Sequence, residues 1–197
     1  GKKLTTHIVY SESTAYTPYV NLINTTFKNA VGEAVSINPY MGYAKGCFFS
    51  FSAGGLLFNN TGGVRETTSM TVDNCYSNGN ANFGFKANNR MLYSSFISCG
   101  VDDCGGEAYD LDMQGGTILN CGAERSLKLL RMLNINDGVS IIGLTGIGIG
   151  SLDPANPVDG AIEFSGSGSR PNNLLGVSLS NHPTQARYRD VDLVVNT

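Results

Sequence analysis

Apolar and polar residues alternate along this chain in short runs that return at nearly constant spacing. A first residue, two spacers and a second apolar residue or Cys recur at Asn24 to Phe27, Phe48 to Phe51, Val72 to Cys75, Phe96 to Cys99, Ile118 to Cys121 and Ile141 to Leu144. The second members are 24 (27 to 51), 24 (51 to 75), 24 (75 to 99), 22 (99 to 121) and 23 (121 to 144) positions apart. A period in this range is the signature of a solenoid in which each repeat is one coil stacked on the last. Each repeat reads as two short strands. First strands are predicted over 70–76, 92–99, 116–121 and 139–145, and second strands over 34–38, 56–59, 83–87, 108–113 and 126–131. Between them lie 77–80, Asn88-Asn89, 99–103 and 121–124, whose Gly and Asn supply the positive φ that sharp corners need.

No stretch is long and periodic enough to supply the helices of a βαβ sheet. The prediction is an all-β right-handed parallel β-helix over 1–150, with a partial coil over 1–20. Successive coils would be separated by the ordinary inter-strand spacing of about 4.8 Å. An immunoglobulin-like sandwich or jelly roll explains the short strands, but not a column of Phe51, Cys75, Cys99 and Cys121. The pattern fades after Ile149, and 151–172 carry three prolines and a Ser-Gly-Ser-Gly-Ser run. Two strand-like segments follow, 174–180 and 190–195. An irregular cap over 151–197, also offering subunit contact, would cover the open end of the solenoid.

Composition agrees with strands and tight turns: 25 Gly in 197 residues and only 15% charged residues. The net charge of −3 gives no broad electrostatic case for nucleic-acid binding. No apolar run approaches the roughly 20 residues that span a bilayer, so no membrane insertion is expected. The chain starts at Gly1 rather than Met, without a signal-peptide pattern, and reads as an excised fragment with domains missing upstream. Five Cys (47, 75, 99, 104 and 121) are an odd number, without CxxC or CxxH zinc spacing. Three of them fall on the repeat position, as small buried hydrophobes would in a protein folding in a reducing compartment. A disulfide between stacked Cys75 and Cys99 is the alternative.

Alternation in the second strands nominates surface residues. Phe83 and Phe85 point inward and leave Gly84 and Lys86 outward. Tyr109, Leu111 and Met113 inward leave Asp110 and Asp112 outward, and Leu127 and Leu129 inward leave Ser126 and Lys128 outward. Lys86, Asp110 with Asp112, and Lys128 then share one exposed strip, with Glu107, Glu124 and Arg125 at its margin. Carboxylates at i and i+2 of a strand lie about 6–7 Å apart at Cα, within reach of glycosidase chemistry, one protonating the glycosidic oxygen and one activating water or attacking the sugar. The candidate catalytic residues are therefore Asp110, Asp112, Glu107 and Glu124. Lys86, Arg90, Arg125 and Lys128 are candidates for substrate binding. Arg131 joins these cations for a lyase, which must neutralise a uronate. The alternative is a solvated ladder of alternating charge that avoids like-charge stacking. Tyr40, Tyr43 and Tyr76 offer faces for sugar rings, and packing is the competing role for each. His7 and His182 lie outside the regular coils. No cofactor or metal is expected, since the acidic residues form no ordered cation loop.

Stacked coils with Asn-rich turns and an apolar and Cys ladder resemble the receptor-binding domains of bacteriophage tailspikes, within the wider group of pectate-lyase-like β-helix proteins. The resemblance covers roughly residues 20–150 and rests on architecture. It implies a homotrimer on a virion tail, made in the host cytoplasm and acting outside it. Its partner would be bacterial surface polysaccharide, capsule or O-antigen, bound and depolymerised by hydrolysis in preference to β-elimination. Val101-Asp102-Asp103-Cys104 is similar to the Asp-Asp-Cys element of polygalacturonase-type glycosidases. In that family an apolar strand follows the pair and the next coil supplies a His. Here Gly105-Gly106 follow, which puts the pair in a corner, and the matching region, Cys121-Gly122-Ala123-Glu124-Arg125, lacks the His, a departure from the polygalacturonase pattern. The rival function is a non-catalytic structural or adhesive module that binds glycan or holds a trimer together. A third arrangement forms the active site between subunits.

Overall fold

A computed structural model of the chain describes residues 9–10, 17–59, 66–136, 138–150, 161–165 and 173–180. They form a parallel β-solenoid with three faces, and no helix is present among the described residues. The first face stacks Thr17–Ile23, Pro39–Lys45, Met70–Asp73, Ser95–Ile97, Thr117–Leu119, Ser140–Ile142 and Asn173–Leu175. The second stacks Thr26–Lys28, Phe48–Ser50, Tyr76–Asn78, Gly100–Asp102, Gly122–Glu124, Thr145–Ile147 and Ser178–Ser180. The third is the broadest: Glu33–Ile37, Gly54–Phe58, Phe83–Ala87, Glu107–Gln114, Lys128–Asn136 and Ile162–Ser165. Val9–Tyr10 pairs at its edge, and the two-residue strands Met91–Leu92 and Thr67–Thr68 extend its pairing beside Glu107–Gln114.

Each coil thus has three strands where the alternation pattern predicts two. Second-face strands at 100–102 and 122–124 fall inside 99–103 and 121–124, and the one at 76–78 overlaps 77–80, segments whose Gly and Asn content marks them as turns. A three-residue strand turns only its middle side chain inward, so it shows no readable period. Those middle residues, Phe27, Phe49, Val101 and Ala123, are buried.

Corners between faces are left-handed at equivalent places in successive coils. Asn24, Gly46, Asn74, Ser98, Asn120, Gly143 and Gly176 close the first face, with φ between +46° and +68°. Asn29, Phe51, Gly79, Asp103, Arg125 and Gly148 close the second. From Asn24 to Gly148 the corner N–H groups still reach the next coil, as Asn74 N does to Ile97 O (2.9 Å) and Asp103 N to Glu124 O (3.2 Å), so the ladder turns without losing its hydrogen bonds.

This geometry corrects the repeat in its first two coils. Phe51 sits on a left-handed corner and is 60% exposed, outside the Cys column. The residue that joins Cys75, Cys99, Cys121 and Leu144 is Cys47, because Phe48 pairs with Tyr76 one position later. The inner first-face column is correspondingly Ala44, Val72, Phe96, Ile118 and Ile141, all fully buried. All five cysteines are free thiols and buried. Cys104 belongs to another column, just past the second corner, beside the buried Ser52, Asn80 and Ser126. There Asn80 receives Ser52 N on its Oδ1 (3.0 Å) and donates to Ser77 Oγ (2.7 Å), which satisfies polar groups inside the corner.

The core between the faces is aromatic at its centre. Phe27 stacks on Phe49 (centroids 5.5 Å apart) and Phe85 on Tyr109 (5.5 Å), while Phe96 meets Phe85 and Tyr109 edge-on. Tyr109 O–H donates to the carbonyls of Cys99 (2.8 Å) and Gly122 (3.1 Å), which permits its complete burial. Beyond residue 150, Ile162–Ser165, Asn173–Leu175 and Ser178–Ser180 add a strand to each face. Gly176, at φ +63°, splits the single strand expected over 174–180. The strand expected over 190–195 lies outside the described residues, as do His7 and His182.

Candidate functional site

Two surfaces gather chemistry. On the third face the inward residues Phe85, Tyr109 and Leu130 stack, and the next position forms an outward column of Lys86, Asp110, Arg131 and Glu163. Lys128 was expected to stack on Asp110. Its place is beside Glu107, because Ala108 and Leu129 also turn inward next to Tyr109 and Leu130 and break strict alternation. The same break turns Gly84 inward, where an added Cβ would meet the Val101 side chain, and puts Phe83 in the column of Glu107 and Lys128.

Nor is this strip exposed as the alternation suggested. Asp110 is 1% exposed, and Asp112 and Lys128 are buried. Asp110 accepts from Arg131 Nε (2.8 Å) and Nη2 (2.7 Å), and Lys86 Nζ lies 3.0 Å from it. Arg131 also reaches Glu107 (2.8 Å), and Lys128 donates to Glu163. Burial alone would raise the Asp110 carboxyl, but the hydrogen bonds from Arg131 and Lys86 outweigh it and hold the group below the usual carboxylate range. A carboxyl held ionised in this way is a poor proton donor to a glycosidic oxygen. Arg90 belongs elsewhere on this face, hydrogen-bonded through Nε to Glu66 (2.6 Å).

Glu124 and Arg125 stand on the second face and its corner rather than at the margin of that strip. Arg125 donates from Nη2 to both Asp102 oxygens (2.6 Å each), from Nε to Asp103 (2.7 Å) and from Nη1 to Glu124 (3.3 Å). The hydrogen bond from Arg125 lowers the Asp103 carboxyl, and the same bond with the neighbouring carboxylates raises the guanidinium. Asp102 ends a strand and Asp103 sits at φ +50°, so the Asp-Asp pair is a corner element.

Beside this cluster is a shallow depression of about 190 Å³. Its floor is Gly100 and Gly122, and its walls include Tyr76, Glu124, Thr145 and Ile147. The outward column here runs Phe48, Tyr76, Gly100, Gly122, Thr145. Phe48 and Tyr76 stack nearly parallel (centroids 5.7 Å, 4°), and the Tyr76 ring leans over Gly100, 2.7 Å from where a Cβ would stand. The stack then stops, because Gly122 brings no side chain to continue it. Burial, followed by the charges of Asp102 and Glu124, raises the Tyr76 phenol. Of the three tyrosines nominated for sugar stacking, Tyr76 is 40% exposed and lines this hollow. Tyr40 and Tyr43 lie on the first-face strand Pro39–Lys45.

The depression was not foreseen. The signal available was the pair Gly100 and Gly122, 22 positions apart in the column of an aromatic residue. Among the described residues no group of three or more His, Cys, Asp or Glu is placed to hold a metal ion, and no helix is long and apolar enough to cross a membrane. No family model, curated protein or solved structure matches the chain.

Proposed function

We propose that this chain is a tailspike-type β-solenoid module that binds bacterial surface polysaccharide, with the second-face depression as its sugar site. The observation that carries the reading is the aromatic stack that ends at two glycines. It leaves a half-exposed ring bordering an apolar floor, with the Glu124 carboxylate along one edge. An aromatic ring beside a few convergent polar groups suits a sugar, which has an apolar C–H face and a hydroxyl rim. The solenoid repeats its strands at about 4.8 Å, and so offers a rigid frame along which successive residues of a polymer could be followed.

Binding is favoured over cleavage at the third face, because Asp110 is buried and ion-paired there. The test is equilibrium binding to a panel of capsular and O-antigen polysaccharides, with new reducing ends and ultraviolet absorbance followed in the same tubes. At least one polysaccharide should bind, and Tyr76→Leu should weaken it by about tenfold, the equivalent of ~1.4 kcal/mol. Absence of binding across the panel would overturn the proposal. New reducing ends without absorbance would add hydrolysis to binding, and the unsaturated chromophore would add elimination.

A further inference from the structure

We infer that the second-face depression selects a sugar carrying a free amine, and that it disfavours acidic glycans. This rests on the sugar-binding reading above and adds a charge requirement to it.

The charge balance beside the depression is lopsided. Asp102, Asp103 and Glu124 contribute three negative charges and Arg125 one positive, a sum of −2. Arg125 is engaged by all three carboxylates, so its guanidinium is not presented to a ligand as an unopposed cation. Glu124 is the carboxylate that lines the hollow itself. Its contact with Arg125 is the longest of the set, 3.3 Å from Nη1 to Oε2, and its side chain is 47% exposed. A carboxylate accepts through two oxygens and about four lone-pair sites, so Glu124 retains capacity for an ammonium donor.

Among the described residues, the cations that could receive a uronate or sialate are engaged or distant. Lys86 and Arg131 pair with Asp110, Lys128 with Glu163, Arg90 with Glu66 and Lys45 with Asp73, and Lys28 lies four strands from Glu124 along the second face. An acidic glycan would therefore bring its carboxylate against Glu124, with like-charge repulsion and, among the described residues, no nearby cation but the engaged Arg125 in compensation. An ammonium group on a ring resting beside Tyr76 would meet the carboxylates on one side and the aromatic face on the other, and both attract a cation.

The test compares three oligosaccharide probes of equal length by calorimetry at low salt: β-1,4-glucosamine with free amines, its fully N-acetylated counterpart, and oligogalacturonate. The free-amine oligomer should bind at least about tenfold more tightly than the acetylated one, and oligogalacturonate should be weakest. In Glu124→Gln, a change at an exposed side chain, the ratio of affinities for the free-amine and acetylated oligomers should fall toward unity. Equal or tighter binding of the acetylated or acidic probe overturns the charge requirement and leaves the sugar-binding reading standing. The inference also fails if the free-amine oligomer does not bind, or if its advantage survives Glu124→Gln. The polysaccharide panel and Tyr76→Leu then decide separately whether the depression binds sugar at all.

Discussion

At the residue scale, glycine in this solenoid marks places where a neighbouring coil comes too close for a side chain. Phe51 lies across Gly79, Tyr76 across Gly100 and Tyr93 across Gly115, each ring 2.7–2.9 Å from where a Cβ would stand. Exposed aromatics of this kind cover a glycine on a neighbouring strand and shield its backbone. Gly105 and Gly106 are tighter still, because an added Cβ would run into the backbone carbonyls of Ala81 and Asn82. Backbone cannot rotate aside as a flexible side chain can. Gly106→Ala should therefore cost about 1–3 kcal/mol through overpacking, read as a lower urea midpoint with unchanged m-value. An unchanged midpoint would show that the coils can part at this level without cost. The Gly105-Gly106 pair was readable in the sequence as the mark of a corner, but its cause, carbonyls in the preceding coil, needs the register of two coils at once.

At the element scale, register is what the sequence conveyed only in part. Cys75, Cys99 and Cys121 are spaced 24 and 22 positions apart and fall in one column as expected. The two extra positions lie between Lys86 and Met91, a span of five that the next coil covers in three, from Asp110 to Met113. In the preceding coil the spacing from Cys47 to Cys75 is 28, which broke the period and let Phe51 stand in for Cys47. On the third face, two adjacent inward residues shifted the parity at Ala108-Tyr109 and Leu129-Leu130, so Arg131 rather than Lys128 reached Asp110. Alternation alone cannot report such a bend, because it assumes the period that the bend breaks. The resulting ladder has a measurable consequence. Asp110→Asn removes the ionised acceptor of Arg131 and Lys86 and should cost about 2 kcal/mol at pH 7, moderated by the part-exposure of both cations. The folded Asp110 carboxyl lies below its ordinary value of 3.8, so its contribution is fully present above that value and is lost as pH falls through the folded value. Denaturant midpoints of wild type and Asp110→Asn should differ at pH 7 and approach each other as pH falls from about 3.8 through the lower folded value. A gap independent of pH would assign the loss to packing rather than to charge.

At the scale of the whole molecule, each coil touches only its neighbours, and stability is distributed along the axis as a sum of coil and interface contributions. Such an array opens from its ends more readily than from its middle. The cysteines make this observable because they report from different levels of one column. Cys47 lies one strand from the N-terminal edge of the second-face sheet, and Cys99 lies near its middle. All five thiols are 2% exposed or less. Burial pushes Cys75 and Cys104 up to about 12, so at these two neither access nor thiolate favours modification, and at the other three burial denies access. A maleimide pulse at pH 8 should leave the native protein unlabelled. In urea below the global midpoint, peptide mapping should find Cys47 modified before Cys99, since a terminal coil can open while the aromatic centre around Phe85, Phe96 and Tyr109 stays closed. Equal labelling of both positions at every urea concentration would mean that the coils open together, with cooperativity long enough to make the whole solenoid one unit. The outcome also bears on the proposed sugar site, since Tyr76, Gly100 and Gly122 follow directly on Cys75, Cys99 and Cys121. Protection of the central thiols would mean that the depression is held by the most stable coils, as a preorganised binding surface requires.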